Sequence, residues 1–140
     1  MARPPGQQDL AAMLSGLTPW LDPAVYLFVG LAPGDHMPAA LQPIGRFHEH
    51  EGETLIIERE AAEHAGLKGV FPCRRIVLGV DSALDAVGLL AAVASALAEA
   101  GIPANTVSAL HHDHLFVPAG CEQDALSVLT HLGHGGRTDT

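Results

Sequence analysis

The chain has 140 residues, 48% of them hydrophobic, with 7 basic against 16 acidic side chains and a net charge of −9. That length fits one compact domain, or two very small ones sharing a core. The acidic balance argues against nucleic-acid and anionic-membrane partners, both of which need a positive footprint.

Two cysteines, Cys73 and Cys121, lie far apart without CxxC spacing, so neither a disulfide framework nor a zinc cluster is expected. The N-terminus lacks the uninterrupted apolar core of a signal peptide. The longest apolar run, residues 86–98, falls short of the ~20 residues that span a bilayer. A cytoplasmic protein is expected.

In chain order, residues 1–8 carry Pro4-Pro5-Gly6 and no periodicity, and read as a flexible arm. Asp9 can cap a short helix over residues 10–17. Residues 24–31 (AVYLFVGL) predict a strand whose nearly continuous apolar run implies cover on both faces. Residues 32–45 contain Pro33, Pro38 and Pro43 and predict a long loop. Residues 45–51 and 53–58 predict a hairpin turning at Glu51-Gly52, followed by a short helix over 59–66 with Gly66 as its C-cap. Residues 67–72 read as a link.

The second half is more regular. Residues 75–80 predict a strand with Ile76, Leu78 and Val80 on one face. Ser82 follows as an N-cap with Asp85 in the capping-box position, opening a helix that runs to Ala100 and stops at Gly101. Its expected sheet-facing stripe is Leu84, Val87, Ala91, Ala94 and Ala98. Most of the remaining surface is apolar too, which implies burial on more than one side, against the N-terminal half or another subunit. Gly88 in its first turns would cost about 1 kcal/mol relative to Ala. Residues 103–110 and 114–118 predict strands joined around His112-Asp113. An amphipathic helix over 120–132 places Cys121, Ala125, Val128, Leu129 and Leu132 inward and ends at Gly133, before a polar tail. The order βαββα is most of the split βαβ, ferredoxin-like plan.

Three kinds of site can be weighed on these residues. His111, His112, Asp113 and His114 form one histidine cluster, and His48, His50 and Glu51 another. Neighbouring side chains on a strand point to opposite faces, so a zinc site would require the two segments to meet. Nucleophilic catalysis has no support: Ser82 is explained as a cap, and GxSxG, phosphate-loop and HExxH motifs are absent. The turn Asp81-Ser82-Ala83 is better placed. Free N–H groups at a helix start suit a carboxylate, and Asp81 can accept from an ammonium group, a pairing that fits a zwitterion such as an amino acid.

The run VDSALDAVGLLAAVASALAEAGIPANTVSALHHDHLFVP resembles a family of small bacterial proteins with ACT-type domains, in which a V-H-S-S-L-E-A-V-G-L turn and helix start precedes an A-G-Y-Y-H-D-H-L-F-V-P hairpin. The resemblance is strong over residues 72–118 and looser through AVYLFVGL and FHEHEGETLIIE. It implies an α+β fold of two ACT-like units in tandem, each a βαββαβ ferredoxin-like variant with an antiparallel sheet and helices on one face. The units would span 9–71 and 72–133. It further implies a non-catalytic regulatory protein that binds a small effector, an amino acid above all, needs no cofactor, works with a partner enzyme and forms a homo-oligomer. The alternatives are a structural or interaction protein whose ACT-like site is empty and a metal-dependent enzyme using the turn His111–His114. By position, the effector turn would be Asp81, Ser82, Ala83 and Leu84, backed by Val87 and Gly88 and faced by Asn105, Thr106 and Val107. This chain departs from the pattern at Asp81 (usually His), Ala83 (usually Ser) and Leu110-His111 (usually two tyrosines), so contacts through those hydroxyls have no counterpart here.

Overall fold

A computed structural model describes residues 10–80 and 87–135. The elements are α1 (Leu10–Ser15), β1 (Pro19–Leu31), β2 (Gly45–Glu49), β3 (Gly52–Glu58), α2 (Arg59–His64), β4 (Val70–Leu78), α3 (Leu89–Glu99), β5 (Asn105–Ser108), β6 (Asp113–Pro118) and α4 (Glu122–Gly135). The strands form a six-stranded sheet in the order β2-β3-β1-β4-β6-β5. The pairs β1–β3, β2–β3 and β5–β6 are antiparallel. This is the α+β, ferredoxin-like architecture expected from the element order.

The chain packs as two compact units. One comprises residues 1–22 and 75–140, the other residues 23–74. This division follows packing, whereas the 71/72 boundary follows the order of elements. β1 and β4 each lend residues to both units.

In the unit of residues 23–74, alternate residues Leu27, Val29 and Leu31 of β1 meet Leu55 and Ile57 of β3, Ala62 of α2 and Leu41 of the long loop. The opposite parity is covered as well. Tyr26 is 3% and Ile56 1% exposed, and Phe28 meets Phe71 edge to face at 5.9 Å. The unbroken apolar run of β1 requires this two-sided cover. The hairpin turns one residue earlier than expected: Glu49 pairs with Gly52 across His50-Glu51. α2 ends as its sequence implies, with Gly66 at φ +71 and the Leu67 N–H donating to the Ala62 carbonyl at 2.9 Å.

In the other unit, Ile76, Leu78 and Val80 form one face of the strand and its exit, as expected. They pack with Met13 and Leu17, with Leu89, Val93 and Leu97 of α3, with Leu115 and Val117 of β6, and with Ala125 and Leu129 of α4. α1, α3 and α4 touch one another and cover this one face.

Several expectations are corrected. β1 begins at Pro19 and passes through Pro23. Proline costs a strand little where its missing N–H is not needed, and Pro19 is the first residue. β4 starts at Val70, within the segment read as a link. β5 is shorter than expected, and β6 gains Asp113. α4 runs past Gly133 to Gly135. The largest correction concerns α3, which begins at Leu89 with Gly88 as its N-cap at φ +105, ψ −24. That left-handed backbone cannot sit inside a helix, so one continuous helix from Ser82 to Ala100 does not form.

The buried stripe of α3 is Leu89, Val93 and Leu97, not the alanines. Ala91, Ala94 and Ala98 face outward, and Val87 is 82% exposed. Burial is worth roughly 25 cal/mol per Å² of apolar surface, so the face with larger side chains turns inward. The helix end is as expected, with Gly101 at φ +77 and the Ile102 N–H returning to the Leu97 carbonyl. The expected arm at residues 1–8, the Asp9 cap, Leu84 and Asp85, and the expected tail at residues 136–140 lie outside the described residues.

Candidate functional site

Of the residues singled out in sequence, Asp81, Ser82, Ala83 and Leu84 lie outside the described residues. The described part of the candidate turn is its exit, Val87-Gly88. The Gly88 carbonyl accepts the first helical bond, from the Ala92 N–H at 2.9 Å. Here Gly88 is no longer a cost: its φ is one that L side chains rarely adopt. A Cβ at Gly88 would also meet Leu10 Cδ2 at 3.3 Å.

The strand expected to face the turn is split by its pleat. Thr106 pairs with Leu115, which lies in the core beneath α3, so Thr106 sits on the helix side of the sheet. Asn105 pairs with Phe116 and Val107 with His114, which places both on the opposite side. Among the three strand candidates, only Thr106 shares a side with Gly88. β5 is the last strand of the sheet, with Asn105, Thr106 and Ser108 exposed.

Two features escaped the sequence. Immediately after β4, the Gly79 N–H donates to the Thr18 carbonyl at 2.9 Å, and the Thr18 hydroxyl donates to the Gly79 carbonyl at 3.1 Å. A Cβ on Gly79 would lie 2.2 Å from Thr18 Oγ1 and 2.4 Å from its carbonyl oxygen. The pair therefore clamps the chain just before the candidate turn. The second feature is an ion pair across the sheet. Arg75 Nη2 and Nε lie 2.7 and 2.9 Å from the same oxygen, Oδ2, of Asp22, with side-chain exposures of 21% and 8%. Asp22 in PWLDPAV, a charge inside an apolar stretch, was the available signal.

Among the described residues, no three His, Cys, Asp or Glu side chains come together as a metal-ligand set. His111 and His112 are exposed in the turn, which is closed by the Ala109 N–H donating to the His112 carbonyl. In the other cluster, His48 Nδ1 lies 3.6 Å from Glu53 Oε2. Arg46, bonded to both Glu53 oxygens at 2.8 and 3.1 Å, lowers the Glu53 pKa.

Both cysteines are free thiols. Cys73 is fully buried and directed at the Tyr26 carbonyl, and burial pushes its pKa up to about 12. A thiol held protonated is a poor nucleophile. Alkylation of the native protein at pH 8 is therefore expected to label Cys121 and spare Cys73, with both labelled after denaturation. Mass spectrometry of the two cysteine peptides reads this directly.

A groove of about 530 Å³ lies between α3 and α4, lined by Ala96, Glu99, Ala100, Ser127, Val128, His131 and Leu132. It sits at the far end of α3 from Gly88, about 16 Å along a helix that rises 1.5 Å per residue. Its walls are mainly alanine and aliphatic carbon.

Two family models match the chain, each described as an ACT domain, over residues 5–74 and 70–131. Among solved structures, a protein of unknown function from Vibrio cholerae, described as a possible transport protein, is 39% identical. The match covers 89% of this chain and 95% of that one, with a TM-score of 0.80. A protein from Agrobacterium tumefaciens is 18% identical over 84% of this chain and 89% of its own, TM-score 0.71. The regulatory subunit of aspartate kinase from Thermus flavus is 13% identical over 84% and 96%, TM-score 0.58. These last two share the fold. No curated protein matches the chain. With ACT-domain matches over both halves and a relative 39% identical along nearly its whole length, the chain belongs to the ACT-domain family.

Proposed function

We propose that this protein is a non-catalytic regulatory module that binds a small molecule, an amino acid above all, through its C-terminal ACT unit. The observation that carries this reading is the pair of ACT-domain matches in one chain. The units are residues 9–71 and 72–133, and the effector turn is Asp81, Ser82, Ala83 and Leu84, continued by Val87 and Gly88. Thr106, on the helix side of the sheet, is the strand residue that meets the ligand, with Asn105 and Val107 behind it; the register of Thr106 with core Leu115 supports this reading. No cofactor takes part. The chain works as a cytoplasmic homo-oligomer that acts on a partner enzyme. No helix among the described residues is long and apolar enough to cross a membrane.

A thermal-shift series with the common amino acids tests the reading. A ligand at 100 times its Kd stabilises a folded protein by ~2.7 kcal/mol, which for a chain of this size raises Tm by roughly 5–10 °C. One or a few amino acids should produce that shift, and Ser82→Arg should abolish it while leaving the unliganded Tm in place. A flat response across the series rejects the amino-acid ligand. A shift that survives Ser82→Arg moves the site elsewhere.

A further inference from the structure

The histidine-rich turn keeps one feature that neither metal binding nor the effector site uses. His114 lies on the sheet side away from α1, α3 and α4, and its Nδ1 is buried without a hydrogen-bond partner among the described residues. A buried ring nitrogen left unsatisfied is tolerated more easily in the neutral imidazole than in the cation, whose charge must also be desolvated.

The neighbours sharpen that preference. Across the sheet on β4 stands Arg75, itself bonded to Asp22 on β1. From its own segment, His112 and the buried Asp113 act on it electrostatically. Opposite on β5 is Val107, and Asn105–Ser108 holds no titratable side chain. Burial first, then Arg75 and His112, hold the His114 pKa below its ordinary value, with Asp113 opposing. A released histidine titrates near ~6.5. Protons therefore bind the opened form preferentially as pH falls below that value. The stability tied to neutral His114 is present above ~6.5 and is lost as pH falls toward the depressed folded pKa.

The strand paired with His114 is poorly placed to resist such opening. β5 has four residues, sits at the sheet edge, and is joined to β6 by the exposed turn at residues 109–112. Short exposed edges open locally at low free-energy cost. We propose that His114 is an acid-sensitive latch on the β5–β6 hairpin: neutral, it permits the paired edge; protonated, it favours release of the edge strand and its turn, residues 105–112, from β6. Because the hairpin carries Thr106, weakened ligand binding in mild acid would follow. That consequence rests on the effector-site reading, whereas the latch itself does not.

Amide hydrogen exchange of the unliganded protein at pH 7.5 and 5.5, corrected for intrinsic exchange rates, tests the latch without any ligand. One pH unit below the ordinary histidine value is worth at most a factor of about ten. Protection of the residue 105–112 amides is expected to fall by up to that factor in the wild type, and to be insensitive to pH in His114→Phe and His114→Asn. Constant protection in the wild type, or an equal fall in the variants, overturns the proposal. Should the variants not fold, NMR titration of the wild-type imidazole decides the question. Titration of His114 in step with the hairpin amide shifts supports the latch, and titration without any change in them overturns it. A flat thermal-shift series alongside a positive exchange result would remove the effector reading alone.

Discussion

Replacing Asp22 by Ala is expected to cost the protein about 3–5 kcal/mol of unfolding free energy. The reason lies in what remains. Arg75 keeps a charge that is only 21% exposed, and its carboxylate partner at 2.7 Å is gone. Arg75→Met leaves the mirror-image problem, a carboxylate 8% exposed beside a thioether. Both single variants should therefore lose much of the ~5–15 kcal/mol that stabilises a domain. The double variant Asp22→Leu/Arg75→Met should recover most of the loss, because a buried ion pair replaced as a unit by apolar groups is often neutral. Urea unfolding of the wild type, Asp22→Leu, Arg75→Met and the double variant gives the coupling energy. A single-variant loss under about 1 kcal/mol would mean that the pair behaves like an exposed surface bridge, contrary to its burial.

Gly52→Ala should be comparably severe for a different reason. Gly52 stands at φ +132 where β3 leaves the hairpin turn, and a Cβ there would lie 1.9 Å from the Leu31 carbonyl oxygen and 3.0 Å from its carbon. The obstacle is backbone of a paired strand, which cannot rotate away as a flexible side chain can. Backbone strain of ~1–3 kcal/mol and overpacking of a similar size predict a loss of about 2–6 kcal/mol in denaturant unfolding. Gly30→Ala is the control. Gly30 lies on β1 with nothing within 4 Å of an added Cβ and without positive φ, so it should be neutral or slightly stabilising. Equal effects at the two positions would show that the Leu31–Gly52 approach does not limit the fold.

Much of the architecture was legible in the residues. The alternation of Ile76, Leu78 and Val80, the C-caps at Gly66 and Gly101 and the strand-helix-hairpin order all report local chemistry, and each recurs in the structure. What misled was the helix at 82–100. Its capping box and apolar run read as one element, and Gly88 as a tolerated defect. The glycine is instead the point where the chain turns left-handed and α3 begins. Choosing the buried stripe from alanines failed for a related reason. A helix apolar on nearly every side carries little directional information, and the Leu89–Val93–Leu97 face wins by area.

The candidate site was legible only as a list of positions. Residue order could group Asn105, Thr106 and Val107, but the register with Phe116, Leu115 and His114 assigns them to different faces. By itself the sequence determined the element types, the ends of α2 and α3, and the family, because these depend on short-range periodicity, caps and a long linear motif. Tertiary structure alone decided that Asp22 meets Arg75 across 53 residues, that Thr18 closes on Gly79 across 61, and that His114 keeps a buried nitrogen unpartnered among the described residues. Such contacts are set by how strands pair and which face each side chain is dealt. A single sequence carries no local signal for that pairing.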